Sequence, residues 1–187
     1  MKKFEILSHA VVLSLLLLTF SPFSAHAKAV WRESEAVRVS GLVEKPFTIT
    51  IESLKKMNVS ERKNAAIVCV SGETRQTMQS FKGVLLRDIL DTAKIVMPNS
   101  RERGEYQILV RSSDSYNVLF SYDELYFGAA GDDILLVFEE DGKPIEKEGR
   151  FVLFCLSDKV TGPRLVKWVD RIEVSKINLA PSTAQCK

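Results

Sequence analysis

The stretch Thr161-Gly-Pro-Arg-Leu-Val-Lys-Trp-Val-Asp-Arg-Ile-Glu-Val174 carries the densest chemistry in this chain. Arg164 and Lys167 lie three residues apart, just past a Gly162-Pro163 loop and before an alternating Ile-Glu-Val strand. An Arg fork offers planar, bidentate donors and a Lys ammonium a compact charge, the pairing that suits a phosphate or another anion. Basic residues at a strand entrance also serve as solvated surface, so the motif needs company. Cys69 supplies some, standing near the end of the apolar run Ala65–Val70. A cysteine there can be a soft thiolate ligand, a buried apolar thiol or half of a disulfide.

These segments follow one another in a recognisable order. Ile67-Val-Cys-Val-Ser-Gly-Glu73 comes first, then Phe81-Lys-Gly-Val-Leu-Leu-Arg-Asp-Ile-Leu90, Ser112-Ser-Asp-Ser-Tyr116 and Asp133-Ile-Leu-Leu-Val-Phe-Glu-Glu-Asp-Gly-Lys-Pro-Ile145. With the terminal Gly162-x-Arg-x-Val-Lys-Trp-x-x-Arg-Ile172, the series resembles the molybdopterin-binding domain of the sulfite oxidase family over about residues 37–175. The resemblance implies an α+β fold with a mixed sheet and a single domain. It implies a molybdenum–molybdopterin cofactor, with Cys69 ligating the metal, Ser71, Gly162, Arg164 and Lys167 holding the cofactor, and Arg75 facing the substrate. It implies two-electron oxygen-atom chemistry on an unspecified substrate, with electrons leaving through a separate partner. Departures from the family pattern leave a second reading open. Val70-Ser-Gly-Glu73 stands where x-Gly-Asn is usual, Pro163 precedes Arg164, and Phe138-Glu-Glu-Asp-Gly142 replaces an aromatic-Glu-Met-Asn-Gly run. That second reading is a non-catalytic module that binds another anionic ligand or a protein partner on the same fold.

Residues 1–27 read as a cleaved export signal: Lys2-Lys3, an apolar core over Val11–Phe20, Pro22, and the A-x-A site Ala25-His-Ala27. The expected location is the bacterial periplasm, and no span remains in the mature chain because the apolar core is short. The expected organisation is a short segment over 28–36, the domain over 37–175 and a tail over 176–187. The only histidines, His9 and His26, fall within the leader. The mature chain then has no Ser-His-Asp triad, no His-ligated zinc and no Cys-x-x-Cys-His haem attachment, and no flavin motif is visible. The full chain has a formal net charge of +2 and no basic tract longer than three residues, which argues against nucleic acid. Three cysteines leave the pairings 69–155, 69–186 and 155–186 open. Cys155, in Phe151-Val-Leu-Phe-Cys-Leu156, reads as core, and Cys186 as part of an exposed tail.

Hydrophobic periodicity predicts strands over 37–43, 47–51, 65–70, 106–111, 116–120, 134–139, 151–156 and 168–174. It predicts a helix over 84–94 and a helical turn over 52–57. Ser121 and Glu124 form a capping-box pattern, Asp141-Gly142 signals a tight turn, and 71–83 read as polar and irregular.

Overall fold

The computed structural model describes residues 34–178. The expected leader, most of the 28–36 segment and most of the terminal tail, Cys186 included, lie outside the described residues. Two β-sheets stack in this region, with short helices at their edges. The first sheet has the order β2-β1-β10-β5-β6, formed by β1 (Val37–Gly41), β2 (Phe47–Ile49), β5 (Tyr106–Ser112), β6 (Val118–Ser121) and β10 (Val169–Lys176). The second runs β3-β4-β7-β8, formed by β3 (Val59–Val68), β4 (Thr74–Leu85), β7 (Ile134–Glu140) and β8 (Lys143–Pro144), with β9 (Val152–Cys155) also paired to β7. Pairing is antiparallel except between β1 and β10, which run parallel and join the two ends of the fold. This is the mixed α+β arrangement that the sequence predicts.

Side-chain alternation explains the layering. β5 buries every second residue, so Tyr106, Ile108 and Val110 face inward while Gln107, Leu109 and Arg111 face the other way. β7 is buried at five consecutive positions because both its faces are covered. Ile134, Leu136 and Phe138 meet the first sheet, and Leu135 and Val137 join a second core with Phe81, Phe154, Ile67 and Leu165. A strand with two covered faces reads as a continuous apolar run. α1 (Ile51–Leu54) starts on a reciprocal Thr50–Ser53 capping box, and α3 (Tyr122–Tyr126) on Ser121, whose Oγ accepts from Glu124 N–H at 3.1 Å. α2 (Leu86–Ala93) buries Leu86, Ile89, Leu90 and Ala93 in the first core.

Two expectations need correction. Residues 71–83 are not irregular: β4 begins at Thr74 and pairs with β3 as far back as Val59. Six of its first seven residues are polar and most are exposed, so this stretch carries almost no apolar pattern. The helix predicted from Val84 starts at Leu86, because Val84 and Leu85 still pair with β7. Gly83 makes that pairing possible. A Cβ there would sit 2.7 Å from the Leu136 carbonyl oxygen.

Among the described residues, no helix is long and apolar enough to cross a membrane.

Candidate functional site

β3 delivers Cys69 to a turn at one end of the second sheet. The Cys69 N–H donates to the Glu73 carbonyl at 2.9 Å and the Gly72 N–H to the Cys69 carbonyl at 2.8 Å, which turns the chain into β4. The loop after β9 crosses the free edge of β3 at this point. Thr161 is only 5% exposed, and its Oγ1 accepts from Val68 N–H at 2.9 Å and donates to the Ala66 carbonyl at 2.8 Å. It stands in for the strand that this edge lacks. Gly162 follows, and a Cβ there would lie 2.8 Å from the Val68 carbonyl oxygen, so a larger residue would push the loop off the strand. Pro163 fits the short 3-10 turn Gly162–Arg164. Leu153 and Val166 then exchange backbone hydrogen bonds at 2.8 and 3.0 Å, tying the loop to β9.

These contacts create an open cleft of about 540 Å³. Five of the six site residues predicted from sequence line it: Cys69, Ser71, Arg75, Gly162 and Lys167. Arg75 makes no ion pair among the described residues. Lys167 Nζ is paired with the Glu148 carboxylate. Ile67, Leu165 and Pro163 give the cleft an apolar wall, and Val70, 83% exposed, stands at its mouth. Tyr116 completes the lining, with its hydroxyl donating to the Pro163 carbonyl at 2.6 Å. Trp168, next to Lys167, holds the left-handed backbone conformation (φ 49°). That is a strained choice for a bulky residue, fixed here by its N–H bond to the Glu148 carbonyl at 2.9 Å.

Arg164 is the sixth residue, and the expectation that it shares one anion with Lys167 needs correction. Its guanidinium is turned away from the cleft. Nε donates to Asp158 at 2.7 Å, Nη2 to the other Asp158 oxygen, and Nη1 to Glu124. The guanidinium also covers the Phe120 ring, 5.1 Å from its centroid. The Asp158 hydrogen bonds, with Glu124 adding to them, raise its pKa further and keep it fully protonated. Three residues of spacing did not reveal this, because Arg164 closes the 3-10 turn and Leu165 after it is extended, which sends the two side chains in different directions. Sequence reasoning also missed Thr161, Tyr116, Asp158, Glu124 and Glu148. Tyr116 lay in a quoted segment, but the partners of Arg164 and Lys167 are remote or unpatterned in sequence and left no local signal.

The thiols have separate fates. Cys69 and Cys155 are both free, so the 69–155 pairing does not form. Cys155 is fully buried in β9, and burial pushes its thiol up to about 12. Cys69 is half-buried and faces the cleft. Among the described residues, no three His, Cys, Asp or Glu side chains gather to hold a metal.

The structure thus defines a two-sheet α+β domain with a cysteine-and-cation cleft at one strand end. The chain belongs to the family described as the oxidoreductase molybdopterin binding domain, whose model matches residues 25–182. It is 26% identical over 172 residues to a nitrate reductase [NADPH] from Mycosarcoma maydis, covering 76% of this chain and 18% of that protein. It is 24% identical over 173 residues to a nitrate reductase [NAD(P)H] from Betula pendula, covering 79% and 19%. The chain thus spans less than a fifth of the length of these relatives. Among solved structures, the sulfane dehydrogenase SoxCD from Paracoccus pantotrophus matches with a TM-score of 0.57 at 21% identity, over 74% of this chain and 37% of that one. That likeness shows the fold. The protein is a molybdopterin-binding domain of oxidoreductase type.

Proposed function

We propose that this domain is a periplasmic molybdenum–pterin oxidoreductase performing two-electron oxygen-atom chemistry. The observation that carries the reading is the convergence of Cys69, Arg75 and Lys167 on one cleft. The residues fit the group. A soft thiolate suits a molybdenum whose remaining ligands come from its own cofactor, so no protein cluster is needed. A cleft of about 540 Å³ is of ligand size. When bound, the cofactor would supply the two-electron redox chemistry.

The chain's own residues would do the rest. Cys69 would hold the metal as thiolate, having released its proton on binding. Lys167 would face the cofactor's anionic end, exchanging Glu148 for it. Arg75, free of a carboxylate, would orient an oxyanion substrate. Ser71, at the turn beside Cys69, would add a hydroxyl donor. Ile67 and Leu165 would exclude water from one wall. The leader-like first 27 residues support export to the periplasm, and electrons would pass to a separate protein.

Molybdenum and pterin content tests this directly in wild type, Cys69→Ser and Lys167→Ala, purified in parallel from a cofactor-producing host. Wild type should carry both. Cys69→Ser should lose molybdenum with an unchanged thermal transition, and Lys167→Ala should retain less pterin. Wild type free of both would reject the reading. It would favour a non-catalytic module that binds another anionic ligand or a protein partner.

A further inference from the structure

The outer face of the first sheet carries three arginines in register. Arg38 of β1 is the partner of Arg171 of β10, which is the partner of Arg111 of β5. Neighbouring strands lie about 5 Å apart, so the three side chains leave the sheet as one row across three strands. All three lie opposite the buried positions that flank them, on the face away from the core. Like charges on directly opposed positions repel, and a sheet that served only as solvated surface would alternate their signs. Among the described residues, Glu173 alone pairs with the row, reaching Arg111 at 2.6 Å and Arg171 at 3.5 Å. Arg38 is exposed and has no ionic partner among the described residues.

Two further observations say what covers this face. Beside the row, Leu109 and Leu119 are register partners, and Leu119 is 52% exposed. Arginines around a small apolar centre are the composition of a protein interface. The row also lies at the end of the sheet nearest the cleft. Arg171 is four residues beyond Lys167, and Arg111 leads through Ser112 into the turn that places Tyr116 in the cleft wall.

We propose that the Arg38–Arg171–Arg111 row is the docking site for an acidic electron-carrier protein. This rests on the oxidoreductase reading above. Opposite charge on the carrier would steer its approach and bring its redox centre to the side of the cleft.

The test uses the full chain, wild type and an Arg38→Gln/Arg111→Gln/Arg171→Gln variant. The probes are flavodoxin as an acidic carrier, cytochrome c as a basic carrier, and vesicles of phosphatidylglycerol and phosphatidylcholine in a 3:7 ratio. Wild type should bind flavodoxin at low salt and release it as ionic strength rises, with an association rate about tenfold above that of the triple variant. Arg38→Gln alone removes a side chain with no internal ion pair, and should produce part of that loss with no change in melting. Equal binding by the triple variant, or no preference for flavodoxin over cytochrome c, overturns the proposal. Arginine-dependent binding to the vesicles without binding to flavodoxin overturns it in favour of a lipid surface. None of these measurements needs molybdenum. Wild type that carries no molybdenum from a cofactor-producing host yet binds flavodoxin through the row would remove the catalytic reading and leave a docking face for an acidic protein standing.

Discussion

Arg164→Ala should cost the protein its stability rather than its hold on a ligand. The substitution removes a guanidinium whose donors are divided between Asp158 and Glu124, and leaves two carboxylates facing a space without a cation. Breaking a fully buried pair costs about 3–5 kcal/mol, and a surface pair at most about 1 kcal/mol. Here the side chains of Arg164, Asp158 and Glu124 are 25%, 18% and 30% exposed, so water relieves part of the penalty. An intermediate figure of about 2–3 kcal/mol follows, including the lost contact with Phe120. For a domain of this size that is a fall in Tm of about 5–10 °C. Lys167→Ala removes one partly exposed pair with Glu148 and should cost less than about 1 kcal/mol. Chemical denaturation of both variants beside wild type provides the assay, with pterin content measured on the same samples. An Arg164→Ala protein within about 0.5 kcal/mol of wild type that has lost its pterin would refute the reasoning and return this arginine to the cofactor.

Thr161→Val should destabilise the domain by about 1–3 kcal/mol in urea unfolding, because an isosteric methyl leaves Val68 N–H and the Ala66 carbonyl without their partner. Thr161→Ser keeps the hydroxyl and should cost only about 1 kcal/mol; equal losses for the two would show that the hydroxyl does no work. The Cys155 thiol should resist alkylation at pH 9 in native protein while Cys69 reacts, as read by peptide mass spectrometry. Its folded pKa lies above the unfolded one, so the folded state keeps the proton where the unfolded state loses it. Its contribution is therefore intact below about pH 9 and declines as pH rises towards about 12. Rapid Cys155 labelling without unfolding would contradict its placement in the core.

Strands with a regular burial pattern were legible in sequence, because β5 and β10 alternate about one buried face and β7, covered on both faces, is continuously apolar. Two exposed stretches of the β3–β4 ribbon were not. Its residues Glu61–Asn64 and Thr74–Thr77 are largely exposed on both faces, and only pairing defines them as strands. At the site, the Cys69 turn and the Gly162–Lys167 loop stood out by residue type, and both line one cleft. The direction of Arg164 did not, since it depends on Asp158 and on Glu124, forty positions upstream. Thr161 was equally invisible: a lone threonine gives no sign that its hydroxyl will complete the edge of a distant strand.

That last contact has a consequence for how the domain assembles. Thr161 and Val68 are 93 residues apart in the chain, and the cleft has no second wall until they meet. Contacts of such long range form late, after their loop-closure entropy has been met by the intervening structure. A nascent or partly folded chain therefore presents Cys69 as a bare thiol on an unfinished strand edge. The thiol becomes part of a cleft only when the loop after β9 has settled. A ligand that needs both walls would therefore be held only by a chain that has already folded.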